Sequence, residues 1–434
     1  MLQKPKGTYD VFGKRGRDIL YLEDIFSSLM EKYNYNYVRT PIFESSELFH
    51  RGVGDTTDIV TKETYDFIDR GNRNMTLRPE GTAGVVRSFI ENKMYAEATK
   101  PVKMWYGGTM YRYERPQSGR FREFYQLGVE TFGSNDPVLD AEIISIPVNF
   151  YRLLGLSGIK VKINTLGDSE SRNNYKKALL EYLKPHLDEL CGDCKNRYEK
   201  NPLRVLDCKI DGDKDIIKNA PNIIDYLNEE SKKHFEEVKT YLEAMNIEYE
   251  VNPNLVRGLD YYNHTVFEVE ASVKGFGSQN VLCAGGRYNK LVENLGGPST
   301  PAVGFALGLE RLLTALEYEN LLPTNDVSID AYIIPVGCEY KKEAISLTQA
   351  LRLSGFIVDT DYMNRNIKSN FKASDRFNAD YVILIGEDEV KNNMLTVKDN
   401  HTKEEHKIPL TDIVDFLDGS DCCCDDECNC KKDD

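Results

Sequence analysis

The chain has 434 residues, of which 41% are hydrophobic, and it carries a formal net charge of −15 at pH 7. Its length predicts about three domains of roughly 150 residues each. No apolar run approaches the roughly 18 residues of a membrane span, and the start MLQKPKGTYDVFGKR lacks the apolar segment of a secretory signal. These features argue against a membrane or secreted protein, and we expect a cytoplasmic location. The acidic total does not exclude a nucleic-acid partner, because an acidic protein can carry a basic face.

The first part of the chain, to about residue 166, has mixed helix and strand character. MWYGGTMYRY and EFYQLGVETF alternate aromatic and β-branched residues, which predicts an antiparallel hairpin with strands at 105–114 and 122–131. From about 168 to 250, long charged stretches with helical apolar spacing, such as YKKALLEYLKPHLDEL, predict a helical insertion.

One face of the predicted hairpin carries polar side chains. Period-two alternation places Phe124, Gln126 and Glu130 on one face of the second strand, and Arg112 with Glu114 on one face of the first. A solvated hairpin whose arginines pair with neighbouring glutamates is the ordinary alternative. Because Phe124 lies among the polar residues, we favour a binding site for a ligand with a phosphate, a base and an amine.

Three cysteines fall within the predicted insertion. Cys191 and Cys194 have the CxxC spacing of half a zinc site, and Cys208 follows in LDCK. A fourth ligand is not obvious, although His186 is near in sequence, and reduced thiols without metal are the simpler interpretation. We assign no metal ligand at this stage. The cysteines show no regular secreted framework, which favours a reducing compartment.

Strand character returns in YYNHTVFEVEA, followed by a predicted helix in GFALGLERLLTALEYE. On that helix Gly304, Gly308 and Arg311 would fall at i, i+4 and i+7, so that a ligand could approach the backbone while one guanidinium reaches it. A helix packed closely on a sheet is the alternative. No GxxxxGK[ST] loop occurs, so arginine side chains would have to bind any phosphate.

Apolar strands alternate with amphipathic helices from about 327 to 417, which predicts a small α/β domain. One of its helices places Lys368, Lys372 and Arg376 on a single stripe, which suits phosphate contacts as well as it suits a solvated face. The tail 418–434 contains DCCCDDECNCKKDD and no apolar residues to fold around, so we expect it to be disordered.

Several segments together carry a family resemblance. YRYE at 111–114 with RFREF at 120–124 resembles motif 2 of class II aminoacyl-tRNA synthetases, and PAVGFALGLERLL at 301–313 resembles their motif 3. LRPEGTAGVVRSF at 77–89, RGLDYYNHTVFE at 257–268 and CAGGRYNKLVENLGG at 283–297 resemble the histidyl-tRNA synthetases, the last two most specifically. The resemblance spans nearly everything from about 4 to 417.

This resemblance implies an α+β fold. A class II catalytic domain on an antiparallel sheet would occupy residues 1–325 with the helical insertion at about 168–250, and an α/β anticodon-binding domain would occupy 327–417. The implied activity is histidine–tRNA ligation, in which histidine and ATP, with Mg²⁺, give histidyl-adenylate and pyrophosphate, and the histidine then passes to the 3′ end of its tRNA. A homodimer formed through the segment ending near Pro41 is also implied.

The resemblance also assigns residue roles. Arg112 and Arg257 would bind the α-phosphate, Arg120 and Arg311 the β- and γ-phosphates. Glu114 would accept from the adenine amino group, and Phe124 would stack on the ring. At the histidine, the residues around the ammonium group or the imidazole would be Glu80, Thr82, Gln126, Glu130, Arg257, Tyr261 and Tyr262.

Two other functions stay open at this stage. The synthetase-like regulatory subunit of ATP phosphoribosyltransferase shares the fold but generally lacks the C-terminal domain and the RGLDYY-type segment. A class II synthetase for another amino acid, such as threonine or proline, would keep the ATP site but not Glu130 and Tyr262.

Overall fold

A computed structural model describes residues 2–54, 57–116, 119–208, 210–273, 280–323 and 328–419. These residues form two compact units, and the boundary follows Pro323. Among the helices described, none combines the length and the apolarity that crossing a bilayer requires. Of the tail predicted to be disordered, 418–434, residues 420–434 lie outside the described residues.

The first unit combines a large sheet with helices on both of its faces. Its strands are β1 (Asn36–Tyr37), β2 (Phe43–Ser45), β3 (Tyr65–Ile68), β4 (Asn74–Leu77), β5 (Val102–Tyr111), β6 (Glu123–Phe132), β7 (Ile159–Thr165), β8 (Tyr249–Val251), β9 (Asn263–Ala271), β10 (Val281–Arg287) and β11 (Ala302–Gly308). Its α-helices are α1 (Gly13–Lys32), α2 (Ser46–Val53), α3 (Thr82–Glu91), α4 (Pro137–Leu153), α5 (Ser169–Leu183), α6 (Gly192–Lys200), α7 (Asp215–Lys218), α8 (Glu229–Ala244), α9 (Leu291–Asn294) and α10 (Leu309–Glu319). Short 3₁₀ segments and one π-helical turn, Ile59–Glu63, connect some of them.

Eight strands form the main sheet in the order β1-β5-β6-β11-β10-β9-β7-β8. The pairs from β5 to β7 are antiparallel, and β1 and β8 add parallel edges. Period-two alternation divides the side chains between two cores: Leu127 and Val129 of β6 join one core, and Phe132 joins the other. This antiparallel-rich arrangement confirms the predicted α+β class.

Amphipathic helices cover one face of that sheet. In α1, the buried residues Leu22, Phe26 and Leu29 follow the i, i+4, i+7 spacing of an apolar stripe. The Asp136 carboxylate caps α4 by accepting from the Val138 N–H at 3.0 Å, and Pro137 begins the helix. These helices pack on one face of the sheet, and the candidate site lies on the other face.

The segment between β7 and β8 is helical. It contains α5 to α8, and α8 returns to the main core through Phe235, Val238 and Leu242. Asn228 caps α8 by accepting from the Ser231 N–H at 2.9 Å. The other helices of this segment enter the second core, on the site face of the sheet, through residues such as Leu179 and Leu203.

The second unit is an α/β layer structure. Its strands are β12 (Ile329–Pro335), β13 (Val358–Thr360), β14 (Ala379–Ile385), β15 (Met394–Asp399) and β16 (Glu405–Pro409), in the order β13-β12-β14-β15-β16. Its helices are α11 (Lys341–Leu353), α12 (Ile367–Arg376), α13 (Glu387–Asn392) and α14 (Ile413–Leu417). Helix α11 packs with Ala331 and Ile333, and α12 packs with Tyr332 and Ile334, so the two helices cover opposite faces of β12.

Two local predictions differ from the structure, and one pair of strands was not predicted. Strand β5 ends at Tyr111, so Arg112 and Glu114 lie in the following loop rather than on a strand. The predicted helix over 304–319 begins only at Leu309, because residues 302–308 form a strand buried between β6 and β10. A short apolar run buried on both sides does not reveal its period. The antiparallel pair β15–β16 was not predicted, since its short strands carry charged residues.

Candidate active site

The hairpin β5–β6 forms the floor of the candidate site. Gly108 pairs with Gln126 and Met110 with Phe124, so these even-numbered residues share one face. The odd-numbered Leu127 and Val129 enter the core on the opposite face. This is the division of faces that the alternation predicts for the second strand.

A cavity of about 420 Å³, here called the central cavity, opens on the polar face of this hairpin. Its walls come from the loop after β5, from β6, the start of α3, the segment before β9, β10 and the junction of β11 with α10. The residues predicted for the site that line it are Glu80, Thr82, Arg112, Glu114, Arg120, Phe124, Gln126, Arg257, Tyr261, Tyr262 and Arg311. Glu130 is the predicted residue that does not line it.

Arg112 directly follows β5 and is held there by several contacts. Its Nε donates to the Pro79 carbonyl at 2.8 Å, and its guanidinium carbon lies 5.1 Å from the centre of the Phe124 ring. Glu114 lies between two guanidinium groups, 3.8 Å from that of Arg112 and 3.2 Å from that of Arg120. The guanidinium groups thus lie beside an aromatic ring, a combination suited to the phosphates and the base of a nucleotide.

Two further arginines complete the positive wall. Arg311, in the first turn of α10, donates to the Val281 carbonyl at 3.0 Å and to the Gly119 carbonyl at 3.3 Å. Burial, together with the charge of Arg120, lowers its pKa from the usual value, yet an arginine stays charged at neutral pH. Arg257 forms an ion pair with Glu268 of β9, and although burial lowers its pKa, the carboxylate raises it overall.

Glu80 is a further carboxylate of the cavity wall. Its two carboxylate oxygens accept from the backbone N–H groups of Thr82 and Ala83, each at 2.8 Å, and so cap α3. Burial raises its pKa, and these hydrogen bonds offset only part of the shift. Glu80 therefore has a structural role at a helix start and also presents a carboxylate to the cavity.

Glu130 is fully buried next to the cavity wall, where Thr82 contacts it. The Thr82 hydroxyl, which lines the cavity, donates to one of its oxygens at 2.6 Å, and the Tyr288 hydroxyl donates to the other. Burial raises the pKa of Glu130 to about 8, despite the opposing effect of the two hydroxyls. At neutral pH the carboxyl is therefore largely protonated in the absence of a ligand.

The remaining wall is amphipathic. The rings of Tyr261 and Tyr262 lie 4.7 Å apart, and the Arg257 guanidinium lies 5.9 Å from the Tyr262 ring centre. Gln126 presents an amide whose Oε1 is buried and accepts no hydrogen bond from the described residues. Such an unsatisfied acceptor on the floor of a cavity is suited to a ligand that brings a donor.

Sequence reasoning did not assign several residues of the site. Tyr288, which donates to Glu130, belongs to the GGRYNKL segment and could have been found from that segment. Glu268 lies on β9, and Glu310 accepts from the hydroxyl of Tyr9, near the other end of the chain, at 2.5 Å. A contact across 301 residues leaves no local signal.

Helix α12 of the second unit carries the predicted basic stripe. Lys368, Lys372 and Arg376 are exposed, and the opposite face buries Ala373 and Ser374. Asn366 caps the helix by accepting from the Ser369 N–H at 2.9 Å. The stripe therefore faces solvent, where it is available to an anion.

Comparisons with known proteins match both units. A family model for histidyl-tRNA synthetase matches residues 7–312, and one for an anticodon binding domain matches residues 330–419. The histidine–tRNA ligase of Anoxybacillus flavithermus is 51% identical over 416 residues, which are 96% of this chain and 98% of that protein. The apo crystal structure of S. aureus histidyl-tRNA synthetase matches with a TM-score of 0.83 and 41% identity over 96% of this chain and all of that one.

A more distant structure bears on one of the alternatives. A Bacillus halodurans C protein described as an ATP phosphoribosyltransferase regulatory subunit/histidyl-tRNA synthetase has a TM-score of 0.62 at 21% identity, over 89% of this chain and 99% of that one. At that identity the likeness concerns the fold alone.

Proposed function

This chain belongs to the histidyl-tRNA synthetase family and is a histidine–tRNA ligase, and we propose that its central cavity is where histidine is joined to ATP. The observation that carries the proposal is that four arginines, the Phe124 ring, Glu114 and Glu80 line one cavity. The regulatory-subunit and other-synthetase alternatives have less support.

The arginine end suits ATP. Arg112 and Arg257 would contact the α-phosphate, and Arg120 with Arg311 would contact the β- and γ-phosphates. Phe124 would stack on the adenine, and Glu114, already placed between two guanidinium groups, would accept from the amino group of the base. Planar guanidinium groups bind phosphate oxygens in bidentate fashion, and they would take the place of the glycine-rich phosphate-binding loop that the sequence lacks.

The part of the cavity formed by Glu80, Thr82 and Gln126 suits histidine. Glu80, Thr82 and Gln126 would bind the ammonium group, a donor that matches the unsatisfied Gln126 acceptor. Glu130 and Tyr262 would bind the two imidazole nitrogens, with Arg257 and Tyr261 beside them. Since one ring nitrogen donates and the other accepts, a carboxylate can accept from the first and a phenol can donate to the second. A site built on such bonds rejects analogues lacking them by about 10⁴-fold or more.

Adenylate formation needs no general base. The nucleophile is the carboxylate of histidine, which is ionised at neutral pH. As it attacks the α-phosphorus and pyrophosphate leaves, negative charge grows on the phosphate oxygens, where Arg112 and Arg257 act. Preorganised donors of this kind contribute about 10²- to 10³-fold each. In the second step the 3′-terminal ribose hydroxyl of the tRNA attacks the acyl carbon and AMP leaves.

Mg²⁺ is expected to accompany ATP. This ion is bound through one or two carboxylates together with substrate phosphates. Glu268 and Glu310 line the cavity without another substrate role and fit that donor set. When bound, the ion would withdraw charge from the leaving pyrophosphate.

We propose that the second unit, residues 327–417, reads the anticodon. The match to an anticodon binding domain and the exposed basic stripe on α12 support this role. Residues 1–325 would form the catalytic domain, with residues 168–250 as its insertion.

We also propose a homodimer in the cytoplasm. Large apolar side chains are exposed near the segment that ends at Pro41: Phe43 is 52% exposed and Phe67 41% exposed, and their rings lie 6.1 Å apart. Analytical ultracentrifugation tests this proposal, and a monomer at micromolar concentration would contradict it.

Exchange of labelled pyrophosphate into ATP tests the function. We expect exchange with histidine and none above background with threonine or proline. Exchange supported equally by another amino acid would assign the enzyme to a different specificity.

A further inference from the structure

Three cysteines and an aspartate meet in the segment between β7 and β8. Cys191 precedes α6 and Cys194 lies in its first turn, while Cys208 and Asp211 follow the 3₁₀ segment Pro202–Val205. Their sulfur atoms and one carboxylate oxygen all lie within 4.8 Å of one another. None of the four lines the central cavity.

The separation of two of the sulfurs matches that around a tetrahedral ion, and the other ligand atoms lie close enough to close around one. The sulfurs of Cys191 and Cys208 lie 3.7 Å apart, and Cys208 Sγ lies 4.0 Å from Asp211 Oδ2. A tetrahedral Zn²⁺ about 2.3 Å from each sulfur places two sulfurs about 3.8 Å apart. A disulfide would require about 2.05 Å.

The surroundings orient the four groups. Cys194 and Asp211 are fully buried, and Cys208 is nearly so. The Cys191 N–H donates to Asp211 Oδ2 at 2.8 Å, the Asp211 N–H points at Cys208 Sγ at 3.5 Å, and Lys214 Nζ lies 2.8 Å from Asp211 Oδ1. Such contacts fix ligand orientation in metal sites and offset the negative charge of the thiolates.

We propose that Cys191, Cys194, Cys208 and Asp211 form a four-coordinate structural Zn²⁺ site. Thiolate ligands favour zinc over magnesium or calcium, and four protein ligands leave no open position for catalysis. His186, the histidine nearest in sequence, instead contacts Glu189 at 3.0 Å. The fourth ligand comes from Asp211, which forms a C-x-x-D pair with Cys208.

The site would fasten α6 to residues 202–211, and this region touches the loop that carries Arg257. Asn201 Nδ2 donates to Asp260 Oδ1 at 2.6 Å, and Arg204 Nη1 donates to the Gly258 carbonyl at 3.4 Å. The ion would therefore support the Arg257 side of the central cavity from behind.

The test uses the full chain with the five tail cysteines changed to serine, because those thiols could bind metal themselves. The tail positions are Cys422, Cys423, Cys424, Cys428 and Cys430. Purified under reducing conditions, this chain should carry about one equivalent of zinc by mass spectrometry. Replacement by Co²⁺ should give the intense visible absorption of tetrahedral thiolate coordination. Adding Cys208→Ser should reduce bound zinc at least tenfold, and the matched control Cys283→Ser should leave it unchanged.

Asp211→Asn serves as a second variant should Cys208→Ser fail to fold. We expect it to alter the Co²⁺ spectrum and to weaken zinc retention against a chelator by at least tenfold. The proposal is overturned if the tail-substituted chain takes up no zinc with all its thiols free, or if Cys208→Ser keeps a full equivalent. Loss of two free thiols that dithiothreitol restores, without bound metal, would also overturn it in favour of a disulfide.

Discussion

The arginines of the central cavity are held in place by several kinds of contact. Arg112 is anchored by a carbonyl and an aromatic ring, and Arg257 by a glutamate. Among the described residues, Arg311 donates to two backbone carbonyls and forms no ion pair, so its charge is available to a triphosphate.

Arg112→Ala should reduce histidine-dependent pyrophosphate exchange by about 10²- to 10³-fold, because it removes one donor from the developing charge. Arg257→Ala should do the same, but it also leaves Glu268 buried without its partner, so Arg257→Lys is needed to separate charge from packing. Arg115, exposed and outside the cavity, is the matched control. Near-normal exchange by Arg112→Ala would remove that residue from the mechanism.

Glu130→Gln should impair the use of histidine far more than that of ATP. The carboxyl, protonated in the absence of a ligand, would be ionised when it accepts from the imidazole, and an amide cannot ionise. A hydrogen bond to a charged group is worth about 1.5 to 3 kcal/mol. We expect kcat/KM for histidine to fall about 10- to 150-fold, with KM for ATP nearly unchanged. Equal losses for both substrates would indicate general damage.

The same variant should change the pH dependence of stability. The folded pKa of Glu130 is raised to about 8 by burial, so between the unfolded value of 4.5 and pH 8 the folded state holds a proton that the unfolded state has lost. This contribution to stability is complete below pH 4.5 and disappears as the pH rises through 8. Urea denaturation without substrates at pH 5.5 and 7.5 should show wild type losing more stability than Glu130→Gln. If the free energy of unfolding fell equally in both proteins between these two pH values, burial would not perturb the pKa of the Glu130 carboxyl.

At the level of elements, β11 and α10 show how glycines serve the site. Gly304 lies on β11 opposite Glu130 of β6, and a Cβ there would overlap the Glu130 carboxylate and the Val129 carbonyl. A Cβ at Gly308, where the strand passes into the helix, would meet no atom within 4 Å. Only the first glycine is required by packing.

Gly304→Ala should therefore destabilise the first unit or displace Glu130, with a lowered thermal midpoint and loss of histidine use. Gly308→Ala should fold normally, since its methyl group has space, but that group would project toward the cavity and raise KM for ATP. Differential scanning calorimetry and exchange kinetics measure the two effects. A fully stable, active Gly304→Ala would refute the close packing at β11.

The sequence was sufficient where local pattern and motif agree. The alternation in β6 fixed which face holds Phe124 and Gln126, and the family motifs brought together residues that lie far apart in the chain. It failed at β11, since a buried apolar run has the same composition in a strand as in a helix. It also missed Asp211, whose role depends on contacts that only the tertiary fold creates.

For the whole molecule, we propose that both chemical steps take place in the first unit and that the second unit contributes tRNA binding. A chain ending at Pro323 should still form histidyl-adenylate, because the central cavity lies entirely within the first unit. It should charge tRNA poorly, since it lacks the exposed stripe on α12, and charging by the full chain should weaken as salt rises. Removing only the residues after Leu417 should affect neither reaction strongly. If the shorter chain, shown to be folded, charges tRNA as well as the full chain at physiological salt, the anticodon role is wrong.

The central claim is that one cavity holds ATP and histidine end to end, and a stable analogue of histidyl-adenylate, with a sulfamoyl group in place of the phosphate, tests it most directly. Isothermal titration calorimetry should show one analogue bound per chain, more tightly than either substrate, with binding competed by both ATP and histidine. The same titration of Glu130→Gln should show weaker binding. Competition by ATP but not by histidine, or two independent sites, would contradict the account.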